Sequence, residues 1–505
     1  MTTPYSPKEL RLVLIICALV TGVGFIDTTA LNVAMPFIQT DLKASAADTY
    51  WVIEIYLLGL ATLMMAAGAL GDSLGRRRPL RWGVMAFALT SIGCALSTSA
   101  SMLIFFRALQ GISAALMVPA SLALINASFA PEERGAAIGK WSALVSLTIP
   151  LGPLVGGVAV DLLSWQAVFW VNLPICLLVL WLMRDLRTPP YEPPETVPLD
   201  IKGSLAITIA LGLITWALME AGRQGAFGPV EWQLLTGGIF MIFVFLAIEM
   251  KSKNPMIPPS LLTNRRFVVV NLHTGLLFAG FQSSMFFLSF LLIQSYGYGA
   301  TAAGAAALPV SVLVTLLSRK AGAWTSQYGP RGILALSSLL IAAAFYWVSF
   351  TDGHYWQSLF LPMVLLGFGV AGFAAPITTV AMVSAGAGRD GLASGVNNAV
   401  ARIGPLLGIA ALGYFMAIDF EASMIATPAF TELPEFAQSH VIAHINELGG
   451  MTYPQEWPEA VRAQTSALIA GQFAATVKSS LSLCALMMIG CLVLCFFYKK
   501  SDALE

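Results

Sequence analysis

Fourteen runs of about twenty apolar residues, broken by short polar connections, constrain this chain more than any other feature. A hydrocarbon core of ~30 Å is crossed by about 20 helical residues. The runs fall near 12–36, 50–70, 80–97, 102–126, 137–162, 166–184, 203–220, 232–249, 267–295, 301–318, 332–350, 356–384, 392–417 and 476–498. Composition agrees: 11% of the residues are charged, where a soluble protein carries about 25%, and mean hydropathy is +0.78. These figures exclude a soluble globular protein and a disordered one. The 27 basic residues balance 27 acidic ones, so charge offers no sign of a nucleic-acid partner. The expected fold class is an all-α polytopic membrane protein.

The first run follows Lys8 and Arg11. It is too long for a signal peptide and has no convincing small-residue cleavage site, so it reads as an uncleaved helix. An even number of spans puts both termini on one side. With that side cytoplasmic, inner connections hold 21 Lys and Arg residues and outer ones hold 4, with Arg107 and Arg402 inside spans. This asymmetry is the positive-inside pattern, and a miscounted span would reverse it downstream. The expectation is a multi-pass protein of the cell membrane with both termini cytoplasmic.

The connections suggest a division into residues 1–184 (six spans), a Pro-rich linker 185–202, two helices in 203–249, a linker 250–266, six more spans in 267–498 and a tail 499–505. The longest connection, 418–469, is expected outside, with seven acids against Arg462. Helical spacing of Phe436, Val441, Ile445 and Leu448 predicts a short surface helix there. A bland cap and a substrate filter are both open readings of that segment.

An internal repeat accounts for the division. GALGDSLGRRRPL at 68–80 is echoed by GAWTSQYGPRGIL at 322–334, which aligns Gly68 and Gly75 with Gly322 and Gly329. GPLVGG from Gly152 is echoed by GPLLG from Gly404, and Gly111 and Pro119 face Gly367 and Pro376. All four offsets lie between 252 and 257 residues. A duplicated six-helix unit follows, with two helices inserted between the copies. Pseudosymmetric bundles around a midplane cavity suit a transporter that rocks one half against the other.

On these residues the chain resembles the 14-helix drug:proton antiporter branch of the major facilitator superfamily. FIDTTALNVAMPFI from Phe25 is similar to that branch's acidic first-helix motif. Residues 68–80 fit the superfamily's G-x-x-x-D-x-x-G-R-[RK]-[RK] loop, RALQGISAALMVPA carries the fourth-helix arginine, and PLGPLVGG resembles the antiporter G-x-x-x-G-P-x-x-G-G motif. Thr148 replaces the leading glycine of the last motif. The resemblance implies two pseudosymmetric six-helix bundles plus two extra central helices, 14 spans in all.

Ionisable groups inside a bilayer cost ~2.5 kcal/mol or more and mark function by default. Asp27 lies roughly 15 Å deep in the first span at 1.5 Å per residue. Burial favours a neutral carboxyl and a nearby cation favours the ionised form, so an acid between those influences can bind and release protons. A permanently paired structural acid is the alternative. The resemblance makes Arg107 its charge partner and ties that arginine to proton coupling, against a static helix tie; Gln110, one turn inward, either serves the same network at the cavity or is a polar packing residue. Glu54, beside Trp51 and Tyr56, is either a second coupling acid or an interfacial anchor. Arg402, with Asn397 and Asn398 on its inner side, either lines the cavity or snorkels to cytoplasmic water.

The loop glycines Gly68 and Gly75 allow a tight turn, and Asp72 with Arg76, Arg77 and Arg78 either gates the cytoplasmic side or enforces topology. Pro150 and Pro153 remove backbone donors from the fifth helix, while Gly152, Gly156 and Gly157 permit close packing. The resemblance links this motif to export in exchange for protons.

Six cysteines sit in apolar stretches without a C-x-x-C pair, and four scattered histidines show no metal spacing. No H-E-x-x-H, G-x-S-x-G or paired-Asp constellation appears in the spans, so an enzyme is not expected. The expected function is proton-coupled antiport exporting lipophilic, often cationic drugs or toxic compounds. A transporter dedicated to one metabolite is the alternative. No cofactor is expected beyond the proton gradient, and no metal. Expected partners are lipophilic small molecules, protons and membrane lipids; the sequence is silent on a periplasmic adaptor.

Overall fold

Polar caps set where the first helices begin. In the computed structural model, Ser6 Oγ accepts from the Glu9 amide at 3.3 Å and Ser6 N donates to Glu9 Oε2 at 2.8 Å, a capping box that opens α1 (Pro7–Asp41). Ser45 and Asp48 repeat that box ahead of α2 (Ala46–Leu74). The described residues are 6–130, 133, 137–138, 140–141, 144–145, 148–186, 200–252, 255–386 and 390–498. Side chains at 65–66, 68–69, 71–74, 149–150, 319, 326, 374–375 and 390–391 lie outside that description, as do the 499–505 tail and most of the 185–202 linker.

The first set continues with α3 (Arg77–Ala95), α4 (Ala100–Ser128), α5 (Thr148–Leu162) and α6, in two pieces, Ala167–Trp170 and Asn172–Leu182. Next come α7 (Ile201–Gln224) and α8 (Pro229–Lys251). The second set is α9 (Arg265–Phe290, prolonged by a π turn), α10 (Ala300–Ala306 and Leu308–Tyr328), α11 (Pro330–Val348), α12 (Phe360–Ala371 and Ala374–Ala385), α13 (Asp390–Ala426) and α14 (Glu459–Leu494). Every regular element among the described residues is helical.

Eleven helices among the described residues are long and apolar enough to cross a membrane. The fourteen-span expectation is therefore met in part. Leu151–Leu162 and Ala167–Leu182 are apolar but shorter, and α3 opens on Arg77, Arg78 and Arg81, which dilute its hydropathy. The last two helices differ from expectation in length. α13 runs on to Ala426 and α14 begins at Glu459, well beyond the apolar runs. Backbone hydrogen bonding continues wherever helix formers follow, so hydropathy marks the bilayer and not the helix end. Between them lie Pro428–Thr431, Glu435–Ala443 and a 3₁₀ turn Ile445–Gly450. The Glu435–Ala443 helix falls where the spacing predicts one, with Val441 buried and Phe436 exposed.

Packing repeats between the two sets. α1 packs on α5, α2 on α4, and α3 on α4 and α6; correspondingly α9 packs on α13, α10 on α12, and α11 on α12 and α14. Glycines explain why these pairs approach closely. A Cβ on Gly111 would meet the Tyr56 carbonyl at 2.5 Å, and one on Gly367 would meet Val310 Cα at 3.0 Å. Gly156 lies against Ala30, and Gly408 against Ala279, in the same way. The two echoed loops also share a conformation: Gly75 ends α2 and Gly329 ends α10, both at φ +81°. A side chain is strained at that angle, so the repeat preserves a backbone requirement.

The sets meet along two seams, α2 on α13 and α5 on α10. α7 packs on α2 and α13 and so covers the first seam, while α8 leans mainly on α7. At one end of the bundle, Gln39 of α1 donates to the Glu447 carbonyl at 2.8 Å and accepts from Gln294 at 2.9 Å. Asp161 at the end of α5 accepts from the Ala300 and Thr301 amides of α10 at 3.0 and 2.8 Å. Carboxylate at a helix N-terminus is favourable, and these contacts tie the two sets together beneath the 427–458 segment.

Candidate functional site: a buried ion pair beside an apolar cavity

One face of α1 holds a charge and its neighbouring face lines a cavity. Asp27 and Arg107 are both fully buried, and Arg107 Nη1 lies 2.7 Å from Asp27 Oδ2. Burying a lone carboxylate is costly unless it is paired and hydrogen-bonded, and here both conditions hold. Asp27 Oδ1 accepts from Asn172 Nδ2 at 2.7 Å and from Gln110 Nε2 at 3.2 Å. Arg107 also donates to Gln110 Oε1 at 2.6 Å and, through Nε, to the Val52 carbonyl at 3.0 Å. Its guanidinium stacks 4.2 Å from the Tyr56 ring centroid. Ser91 Oγ accepts from Gln110 Nε2 at 2.8 Å. Five helices of the first set, α1, α2, α3, α4 and α6, thus supply one polar network inside an apolar bundle.

Sequence reasoning placed Asp27, Arg107 and Gln110 together and missed Asn172, Ser91 and Tyr56. A polar residue in the apolar run FWVNLPICLLVL was the available signal for Asn172. Glu54 lies elsewhere: it is fully buried, and neither carboxylate oxygen has a hydrogen-bond partner.

The cavity has a volume of about 330 Å³, within the ~300–1,000 Å³ usual for small-molecule sites. Its wall is built by α1 (Phe25, Thr28, Thr29), α5 (Pro153), α9 (Phe281, Gln282, Met285), α10 (Val310, Ser311), α12 (Phe373) and α13 (Asn398, Arg402). Arg402 therefore lines the cavity, with its guanidinium 5.3 Å from the Phe25 ring. Asn398 lines it too, while Asn397 turns away and donates to Thr274 Oγ1 at 2.7 Å between α9 and α13. Asp27 faces its network instead of the cavity, so in this conformation it offers no exposed surface to a cationic solute.

The antiporter-motif residues sit at helix contacts. A Cβ on Gly152 would fall 1.8 Å from Thr29 Oγ1 on α1, and one on Gly157 would fall 2.4 Å from the Ala300 carbonyl on α10. Gly304 of α10 is packed equally closely on the Pro153 carbonyl. In the 68–80 loop, Arg76 Nη1 donates to the Ala123 carbonyl at 2.7 Å and Arg77 donates to the Met183 carbonyl, so both reach helices of their own set. Arg78 is exposed. Gly68, Asp72 and Pro150 are described in their backbone alone.

Two matched sets of apolar helices enclosing a cavity define a solute transporter of the membrane rather than a soluble helical protein. The chain belongs to the major facilitator superfamily, whose sequence model matches residues 17–409. It is 31% identical over 393 residues to the tetracenomycin C resistance and export protein of Streptomyces glaucescens, covering 78% of this chain and 73% of that one. It is 33% identical over 439 residues to the methyl viologen resistance protein SmvA of Salmonella typhimurium, covering 85% and 86%. Its fold matches the crystal structure of a bacterial homolog of the human lysosomal transporter Spinster, inward-facing and occupied. The TM-score is 0.65 at 17% identity, over 98% of this chain and 97% of that one.

Proposed function

We propose that this protein is a proton-coupled exporter of lipophilic small molecules from the cytoplasm. The observation that carries the reading is the buried Asp27–Arg107 pair on the back of the helix that also lines the cavity. A shift of α1 on solute binding changes the distance between acid and guanidinium. That distance decides whether Asp27 holds a proton. Resistance and export relatives over most of the chain support the exporting direction.

In this reading all of α1 to α14 cross the membrane, the shorter or less apolar α3, α5 and α6 included. Residues 1–184 and 267–498 are two bundles that rock about the cavity, the 203–249 pair covers one seam, and the arginines of the 68–80 loop steady the cytoplasmic side. The contacts beneath residues 427–458 then close the outer side, which makes the conformation inward-facing. Protons, lipophilic solutes and the surrounding lipids are the partners.

The direct test is substrate-driven proton movement in proteoliposomes loaded with a pH-sensitive dye. Chemically unrelated lipophilic compounds are each expected to evoke a proton flux that an uncoupler abolishes. Solute movement that ignores the pH gradient would refute coupling. Topology is tested separately by reporter fusions. A reporter after residue 440 is expected outside and one after Lys500 inside; the same side for both removes the fourteen-span arrangement.

A further inference from the structure

The described lining of the cavity carries a single formal charge. Among the described residues, Arg402 is the one ionisable group lining it, and no acid shares the wall. Both acids buried in the neighbouring helices are sealed from it: Asp27 and Glu54 have no accessible surface. Arg402 has no ion pair and no hydrogen-bond acceptor among the described residues; its guanidinium lies over the Phe25 ring, 5.3 Å from the centroid. A guanidinium presents five donors and keeps its charge at any physiological pH. Holding that charge unpaired against an apolar wall is unfavourable, and an incoming anion relieves the cost. The side-chain amides of Gln282 and Asn32, also on the wall, likewise have no hydrogen-bond partner among the described residues.

We infer that the cavity selects lipophilic compounds bearing an anionic group, a carboxylate or ionised phenol, with Arg402 as the charge partner. Phe25, Phe278, Phe281, Phe373 and Met285 receive the apolar body, where ring faces and a flexible thioether adapt to varied shapes. Charge-assisted bonds from a guanidinium are among the stronger polar contacts, and the same positive field opposes a cation. This inference rests on the exporter reading and sharpens its substrate class. Relatives at about 30% identity are named for unlike compounds, so the preference comes from this chain's own lining.

The experiment uses three probes on one ring system: anthracene carboxylate, its methyl ester and anthracenylmethylammonium. Binding to the full chain in nanodiscs is read by probe fluorescence at neutral pH. For the native protein the carboxylate is expected to bind at least ~10-fold more tightly than the ammonium, the size of one charged hydrogen bond. Arg402→Gln should erase that order, and continued binding of the ester shows an intact cavity. Arg402→Glu should reverse the order. The inference is overturned if the native protein does not bind the carboxylate, if carboxylate and ammonium bind equally, or if the order survives in Arg402→Gln. Transport of the same probes in proteoliposomes separates the two levels. A correct binding order without any transport refutes the exporter reading alone, whereas transport with a flat binding order refutes the charge preference alone.

Discussion

Asp27→Asn is expected to abolish substrate-driven proton movement while the protein still inserts into the membrane. The substitution keeps the side chain's shape and its ability to accept from Arg107, but the site can no longer gain or lose a proton. It also leaves the Arg107 guanidinium fully buried with no counter-charge, although Val52, Gln110 and the Tyr56 ring remain beside it. Removing one member of a buried pair destabilises by roughly 3–5 kcal/mol, so thermal stability should fall as well. Loss of activity alone would then be ambiguous. The double variant Asp27→Asn with Arg107→Gln resolves this, because removing both charges removes most of the penalty. The double variant should regain stability and still carry no proton flux. Flux in either variant, measured at matched insertion, would move the proton site elsewhere, and Glu54 is then the next candidate because its carboxyl is buried without any partner.

That network shows which parts of a membrane protein can be read in sequence. Asp27 and Arg107 stood out because charges inside apolar runs are costly and rare. Asn172 and Ser91 are neutral and cost far less to bury, so the run that holds Asn172 looks like any packed helix. Only the folded arrangement brings α6 to within 2.7 Å of Asp27. The cavity wall was harder still. Phe281 and Met285 on α9 have the same character as residues facing lipid, and hydropathy does not separate the two. Arg402 has two readings in the sequence, lining or snorkelling, with the structural one slightly favoured, and its direction is a property of how α13 sits against α1. By contrast, the repeat was legible because it is written in glycines. Gly75 and Gly329 answer to a backbone angle, while Gly111 and Gly367 answer to helix separation. Such demands leave no substitute residue, whereas a span needs only average hydrophobicity. That is also why the ends of α13 and α14 were misjudged: nothing in hydropathy marks where a helix stops once it has left the apolar layer.

The same glycines divide into two kinds, and substitution should tell them apart. Gly304 and Gly157 lie in the α5–α10 seam, where added Cβ atoms would fall 2.1 Å from the Pro153 carbonyl and 2.4 Å from the Ala300 carbonyl. Gly404 lies within one set, where its Cβ would fall 2.4 Å from the Gly275 carbonyl. All three clashes are with backbone, so no side-chain rotation relieves them and a helix must move. In Gly304→Val the helices can separate simply by opening that seam, which is the motion transport requires. The cost therefore falls on the closed arrangement alone. Overpacking costs ~1–3 kcal/mol, which lowers the closed-to-open ratio about 5- to 100-fold at 1.4 kcal/mol per decade. Spin labels at the exposed positions Leu163 and Ala302 should report a longer distance, with turnover slowed by a similar factor and little change in thermal stability. Gly404→Val has no such escape, because α9 and α13 stay paired in both arrangements of a rocking transporter. It should lower thermal stability and leave the label distance where it was. If Gly304→Val keeps the native distance and turnover, the α5–α10 seam does not open during transport, and the two-bundle rocking reading fails with it.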